Sequence, residues 1–244
     1  MNEGGSYRIP EIEELCRRSD ILCIHEQFLR NNSLSLLKFS DNHKFYFATA
    51  KSRQRRSSSG ELVIVIRSAV DSEGLYTAEN FVAVRVGNLV IVNIYLLTSD
   101  SNKDSVNQFS KAVRAPAKCP DTPSLSKLER VIIDDYSCDL VDDLSPQSQL
   151  ILSVLEIRYR ILPKDKYFTF VHTSGSVSNI DPVAGTPNVS GTVSVLKGSH
   201  SANHISIEAC VSVCIKKAKS TSQWNEIKDW SDADFPLYHV LYSA

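Results

Sequence analysis

The sequence predicts an α/β protein of two packed sheets flanked by helices, and three observations carry the prediction. Strand-like apolar runs are many, helical periodicity is confined to a few short stretches, and the two kinds are interleaved along the chain. Some runs are apolar at nearly every position, as strands covered on both faces are. No internal repeat divides the 244 residues, a length that suits one large domain or two small ones and leaves ample apolar material for a core.

Taken in order, the chain opens on Met1-Asn2-Glu3-Gly4-Gly5-Ser6. Pro10 is a suitable first helical residue, and Ile9, Ile12 and Cys16 recur at helical spacing up to Arg18. Residues 20–24 form a short buried strand that stops at His25-Glu26-Gln27. A basic, Ser-rich stretch, 51–60, separates two apolar segments and reads most simply as a solvated loop. Residues 62–66 are a strand, and 81–85 with 89–95, turned by Gly87-Asn88, are a hairpin whose second arm is central. Residues 99–123 are polar and broken by Pro116, Pro120 and Pro123, with at most a short helix around 106–113. Val131-Ile132-Ile133 ends a buried strand, and Asp134-Asp135-Tyr136-Ser137-Cys138-Asp139 follows as the loop leaving it.

Beyond that loop, a helix is expected at 147–155 and a strand at 167–172, with Ser174-Gly175-Ser176 as a turn. The Gly/Ser/Thr-rich stretch 185–198 reads as a loop with one strand near 193–196, and 205–215 as a last alternating strand. From Lys216 a basic linker leads to a small aromatic segment, so the expected division is a domain at 1–215 and a linker with that segment at 216–244; having no core of its own, the segment either packs onto the main domain or belongs to something longer.

A formal net charge of −1 gives the whole chain no electrostatic case for nucleic acid, so any such case rests on local patches. The six cysteines form no C-x-x-C pair and several sit in apolar runs, which points to buried free thiols in a reducing compartment. No apolar run is long enough to span a bilayer and no signal peptide is recognisable, so the expectation is an intracellular, soluble protein. His25, His172 and His200 read as turn residues, because no Cys/His spacing supports zinc.

Polar residues recur where strands end: Asn2, Glu26, Tyr95, Asp135, Asp181 and His204. Adjacent carboxylates such as Asp134 and Asp135 repel unless a cation or donors meet them; the plainer reading is an acidic turn running on to Asp143. Brought to one rim, these residues would offer oxygen ligands for a hard divalent cation, an imidazole and a phenol. That set suits metal-assisted hydrolysis of a phosphodiester.

The order of the pieces resembles the endonuclease/exonuclease/phosphatase superfamily, and within it the apurinic-like endonuclease domain of LINE-type retrotransposons. Asn2-Glu3-Gly4-Gly5 is similar to the family's N-x-N-G opening, and Ile21-Leu22-Cys23-Ile24-His25-Glu26 to its strand ending in Gln-Glu. Ser59-Gly60-Glu61-Leu62-Val63-Ile64 resembles S-G-G-V-A-I, and Val92-Asn93-Ile94-Tyr95 resembles V-N-V-Y. The stretch 131–138 resembles I-I-G-G-D-F-N-C, 168–181 resembles T-F followed by S-x-I-D, and Ala202-Asn203-His204 stands in the place of Ser-Asp-His. The segment 224–238 is similar to the linker that leads toward a reverse transcriptase in these elements.

This resemblance implies a DNase I-like, four-layered α/β sandwich, two packed mixed β-sheets flanked by helices. It implies a Mg²⁺- or Mn²⁺-dependent endonuclease that nicks target duplex DNA as a monomer in the nucleus, with a reverse transcriptase in cis and no membrane partner. By the same resemblance Glu26 binds the metal, Asp135 activates water and Asp181 pairs with His204 at the phosphate, while Tyr95 and Asn2 steady phosphate and nucleophile. The basic loop, with Lys51, Arg53, Arg55 and Arg56, is the candidate DNA contact.

Departures accompany the likeness. Ser137 replaces the Asn of D-x-N, Asn203 replaces the Asp of Ser-Asp-His, Gly4 replaces the second Asn of the opening, and the family's first strand has no counterpart before Asn2. A sheet with an unpaired edge is therefore expected. Two other functions stay open: a catalytically dead relic that binds DNA weakly, and a superfamily phosphoesterase acting on inositol phosphates or a lipid headgroup.

Overall fold

The computed structural model describes residues 9–25, 42–48, 62–78, 81–95, 107, 110, 128–135, 146–164, 168–171, 174–201, 204–213 and 237–243. Two mixed sheets pack face to face, each with a helix on its outer side. In chain order the elements are α1 (Ile9–Arg18), β1 (Ile21–His25), β2 (His43–Ala48), β3 (Leu62–Arg67), β4 (Ser72–Ala78), β5 (Phe81–Val86), β6 (Leu89–Tyr95) and β7 (Glu129–Asp135). They continue with α2 (Pro146–Glu156), β8 (Arg160–Ile161), β9 (Phe170–Val171), β10 (Val177–Ser178), β11 (Val183–Gly185), β12 (Val189–Ser201), β13 (His204–Val213) and β14 (Leu237–Ser243).

The first sheet runs β10-β9-β13-β14-β1-β3-β2, with β12 also paired to β13; the second runs β4-β5-β6-β7-β11-β8. Alternation along the strands sorts their side chains between layers. Ile21 and Cys23 of β1, Ile64 and Ile66 of β3 and Ile207 of β13 meet Val82 and Val84 of β5, Leu89 and Ile91 of β6 and Val131 and Ile133 of β7. The outer face of the first sheet (Leu22, Ile24, Val63, Val65) packs on Ile12, Leu15 and Cys16 of α1. The outer face of the second (Val90, Val92, Ile94, Ile132) packs on Ile151 and Leu155 of α2 and on Tyr159. The expected four-layered α/β sandwich is the fold found.

Local chemistry sets the boundaries. Helix α1 closes with Arg17 and Arg18 in its last turn, where cations favour the negative end of the helix dipole. Ser19 then donates both its backbone N–H (3.1 Å) and its hydroxyl (2.8 Å) to the Leu15 carbonyl. The β5–β6 hairpin turns at Gly87, whose φ of 54° lies in the left-handed region that glycine tolerates best. Gly175, at φ 84°, does the same for the turn between β9 and β10.

Four expectations are corrected. Strand β7 does not stop at Ile133: Ile94 pairs with Asp134 and Tyr95 with Asp135, so both carboxylates belong to the strand end and not to a loop after it. The stretch 185–198 is no loop; β12 runs 13 residues because β13 offers it a partner from Val189↔Val213 to Ser201↔His204. His25 is not a turn residue but the fully buried last position of β1, and His200 lies within β12.

The fourth correction concerns the chain's end. Residues 237–243 lie past the expected domain end at 215; of the two readings left open for them, packing onto the domain is the one found, and they supply β14, which runs parallel to β1 (Ile21↔Val240 to Ile24↔Ser243) and antiparallel to β13 (Ile207↔Tyr242 to Ser212↔Leu237). No open edge remains there, because β1 and β13 are each paired on both sides of their backbones. The short helix expected at 106–113, apart from the helical positions 107 and 110, lies outside the described residues, as does the linker from 216.

Candidate active site

The end of the sandwich at which β1, β6, β7 and β14 finish and β3, β11 and β13 begin carries the polar strand ends. In the second sheet, parallel pairing sets Tyr95 beside Asp135. Strand β11 pairs antiparallel to β7 with Val183↔Ile133. Adjacent strands thus end on Tyr95 and Asp135, and Asp181 lies two residues ahead of the third strand, β11, on the segment that enters it at this rim. Tyr95 and Asp181 are both buried, Asp181 at 1% exposure.

In the first sheet, Ile24 lies level with Ser243 and Tyr242 with Ile207, which puts His204 one register step beyond His25. A short link joins the two halves of the rim. Phe170 of β9 pairs with His204. Its neighbour Thr169, fully buried, accepts the backbone N–H groups of Ile180 (3.2 Å) and Asp181 (3.3 Å) on its hydroxyl oxygen. The Thr169 N–H donates in turn to the Ser178 carbonyl at 3.0 Å. The segment bearing Asp181 is therefore fastened one residue from the partner of His204. Lys164 hydrogen-bonds Asn179, two residues before Asp181, and so brings a cation to the same segment.

Between the sheets at this rim lies a polar cluster that sequence reading did not single out. Asn93 accepts a hydrogen bond on Oδ1 from His25 Nε2 and donates through Nδ2 to the carbonyls of Ile24 (3.4 Å) and Val63 (3.2 Å). Both of these side chains are fully buried. Because the amide nitrogen faces two carbonyls, Oδ1 is the acceptor and His25 carries its proton on Nε2. The His25 ring meets Tyr95 edge-on at 6.2 Å between centroids. The only sequence signal for the cluster was the position of a His and an Asn at the ends of otherwise apolar strands.

Of the residues named from the sequence, the fold brings Tyr95, Asp135, Asp181 and His204 to one rim. Asn2, Glu26, Ser137, Asn203, Lys51, Arg53, Arg55 and Arg56 lie outside the described residues. Among the described residues no three His, Cys, Asp or Glu side chains lie close enough to hold a metal ion. The donor set does fit a hard cation in kind: Asp135 ends β7, and Glu26 is the next residue of the chain after His25, so oxygen ligands are on offer. The Cys16 and Cys23 thiols hold their protons: burial pushes Cys16 up to about 12 and raises Cys23 further. No helix among the described residues is long and apolar enough to cross a membrane.

This architecture is that of the DNase I-like endonuclease/exonuclease/phosphatase proteins. The chain is similar to the 3′ phosphatase NExo from Neisseria, solved with a product DNA hairpin, at 15% identity and TM-score 0.59, over 82% of this chain and 92% of that one. It is similar to a mannosyl-6-phosphatase from Bacteroides thetaiotaomicron at 13% identity and TM-score 0.59, over 85% and 91% of the two chains. An AP endonuclease from Archaeoglobus fulgidus matches at 14% identity and TM-score 0.56, over 81% and 90%. No family profile and no curated protein sequence matches the chain. At such identities the likeness establishes the fold.

Proposed function

We propose that the protein is a divalent-metal-dependent phosphodiesterase that nicks duplex DNA, of LINE-type retrotransposon descent. One observation carries the reading: Tyr95 and Asp135 pair at the ends of adjacent strands, and Asp181 lies two residues before the next strand, β11, at the end of the sandwich where β13 begins with His204. Polar groups gathered at one rim of an otherwise apolar sandwich have a chemical purpose more often than a structural one.

In this reading Glu26 holds Mg²⁺ or Mn²⁺, which supplies positive charge to the scissile phosphate when bound. Asp135 takes the proton of the attacking water. His204, oriented by Asp181, donates a hydrogen bond to the phosphate, and the Tyr95 phenol donates another. Asn2 steadies the nucleophile. Ser137 and Asn203 supply a hydroxyl and a neutral amide where the resembled family has Asn and Asp, and they lower the rate without removing the reaction. Lys51, Arg53, Arg55 and Arg56 belong to the connection between β2 and β3. Its anchors, Ala48 and Leu62, face each other, and Leu62 faces His25, so the connection leaves and re-enters the sandwich at the site's end. That placement supports DNA contact through phosphate neutralisation. The division of labour follows: the sandwich is the nuclease, a monomer, and in a full element a reverse transcriptase lies downstream in cis.

Nicking of supercoiled plasmid in Mg²⁺ against EDTA, with Glu26→Ala alongside, tests the reading. Metal-dependent nicking that is lost in the variant is the expected result; nicking unchanged in Glu26→Ala overturns the metal assignment. A second reading is favoured by the fold shared with the mannosyl-6-phosphatase: release of phosphate from a small or lipid phosphate ester, with plasmid left intact. Plasmid binding without either reaction identifies a catalytically dead relic.

A further inference from the structure

We propose that His25 and Asn93 are a positioning pair that locks the two sheets together at the rim, fixing the strand that ends one residue before Glu26 against the strand that ends on Tyr95. The inference rests on the metal-dependent reading above and adds residues that the reading did not contain.

The pair is unusual for where it sits. Ile21 and Cys23 of β1, with Leu89 and Ile91 of β6, point into the apolar space between the sheets, and strand alternation puts His25 and Asn93 on that same inner face. Apolar contacts across such a space are non-directional and tolerate sliding of one sheet over the other. Hydrogen bonds are not tolerant in this way, because they weaken steeply with distance and angle. Asn93 belongs to the second sheet, yet each of its side-chain bonds given above goes to the first: His25 Nε2, the Ile24 carbonyl and the Val63 carbonyl. Ile24 and Val63 face each other in register, so one amide grips two neighbouring strands at the point where both reach the rim.

What lies next along each strand gives the grip its consequence. One residue past His25 the chain reaches Glu26, and two residues past Asn93 it reaches Tyr95, which lies edge-on to the His25 ring. The strand that leads to that carboxylate and the strand that ends in that phenol can serve one site only if the sheets hold one relative position. A pair of leucines would fill the same space and add apolar stability, but would fix that position loosely.

The test compares His25→Leu, Asn93→Leu, the double His25→Leu/Asn93→Leu and His25→Gln, reading thermal melting, Mn²⁺ binding by calorimetry and nicking kinetics. Each single leucine variant strands a buried polar partner and melts lower than wild type; the double variant recovers the part of the melting temperature lost to the stranded side chain, the Ile24 and Val63 carbonyls still lacking the Asn93 donor. The expected signature is that recovery of stability brings no recovery of the site. The double variant binds Mn²⁺ about 10- to 100-fold more weakly, as loss of a ligand-orienting contact does. Its kcat falls by a similar factor while KM for DNA stays within about twofold. His25→Gln keeps an N–H to offer Asn93 and stays within about threefold of wild type in both readouts. If the double variant does not fold, His25→Met, which matches volume but has no N–H, replaces it and loses Mn²⁺ affinity about tenfold against His25→Gln.

A folded double variant with wild-type Mn²⁺ affinity and kcat overturns the positioning role. Wild-type protein that binds no Mn²⁺ overturns the metal reading itself, and the inference with it. Binding in wild type that survives in the double variant overturns the inference alone.

Discussion

Two parallel strand pairs stand at the centres of the two sheets, and they reach the same rim by different routes. Strands β6 and β7 pair over seven positions, from Leu89↔Glu129 to Tyr95↔Asp135, with 33 residues of chain between the end of one and the start of the other. Strands β1 and β14 pair over four positions, and their partners come from opposite ends of the chain. A parallel pair always needs a long connection, but nothing requires the connection to be local. The difference teaches that the sheet behind this rim is completed by a segment remote in sequence from the strands it joins.

The most severe way to break the comparison is to remove β14. Deleting residues 237–244 exposes the facing backbones of β1 and β13 in the middle of a sheet, and the expected outcome is loss of cooperative unfolding by circular dichroism. A folded, cooperative deletion variant would show that the pairing is ornamental. Val240→Pro is a milder form of the same test. Val240 pairs with Ile21 on one side and Ala209 on the other, so a proline there removes a ladder bond inside the sheet. An orphaned buried partner costs about 1–3 kcal/mol. That lowers the melting temperature by about 2–4 °C for each kcal/mol in a domain of this size.

On the other side of the comparison, Ile91→Ala empties space beneath β6, where the side chain is fully buried between the sheets. A loss of about 2–5 kcal/mol is expected, measured by denaturant unfolding. Native-state hydrogen exchange sharpens the contrast without mutation. Amides of 237–243 should protect to within about 2 kcal/mol of those of 89–95 if both pairs open only with the whole fold, and far less if β14 detaches by itself.

Smaller effects follow from charge. Cys16 is held up to about 12 by burial first and by the Glu13 carboxylate second, from an ordinary value of 9.0. The folded thiol therefore stays neutral where the unfolded one ionises, so its contribution is complete below pH 9 and is lost as pH rises from there toward 12. Cys16→Ala should flatten the fall in stability over that window, measured by melting at a series of pH values. Arg55→Ala should lower the slope of log affinity for DNA against log salt by about one, and affinity flat across salt would remove the basic loop as the anchor.

Legibility in the sequence divides along the same line. Strands that are apolar at nearly every position, such as β3 and β6, declare themselves because burial on both faces leaves one kind of residue possible. The hairpin turn at Gly87 was equally plain, since its chemistry is local. Strand β12 was not, because Ser190, Gly191, Thr192 and Ser194 have the composition of a loop and become a strand only through the long edge that β13 offers. Strand β14 is apolar and aromatic enough for a strand, but it was read within an aromatic segment with no core of its own, because its partners β1 and β13 are remote in sequence. Asp134 and Asp135 were read one step too late, as a loop, because charge at a strand end resembles charge just after it. Of the residues that the order of motifs singled out, Tyr95, Asp135, Asp181 and His204 fall among the described residues, each at or near a strand end. The buried bond between His25 and Asn93 was invisible, since a pair separated by 68 positions leaves no pattern in either neighbourhood.

The central claim is that these strand ends form one hydrolytic site, and Asp135→Ala tests it most directly. Plasmid nicking in Mg²⁺ should fall by about 10²- to 10⁴-fold, the usual cost of losing a general base. The variant's melting curve should overlay that of the wild type, because Asp135 is the last residue of β7. Nicking at the wild-type rate by a folded Asp135→Ala protein would contradict the account.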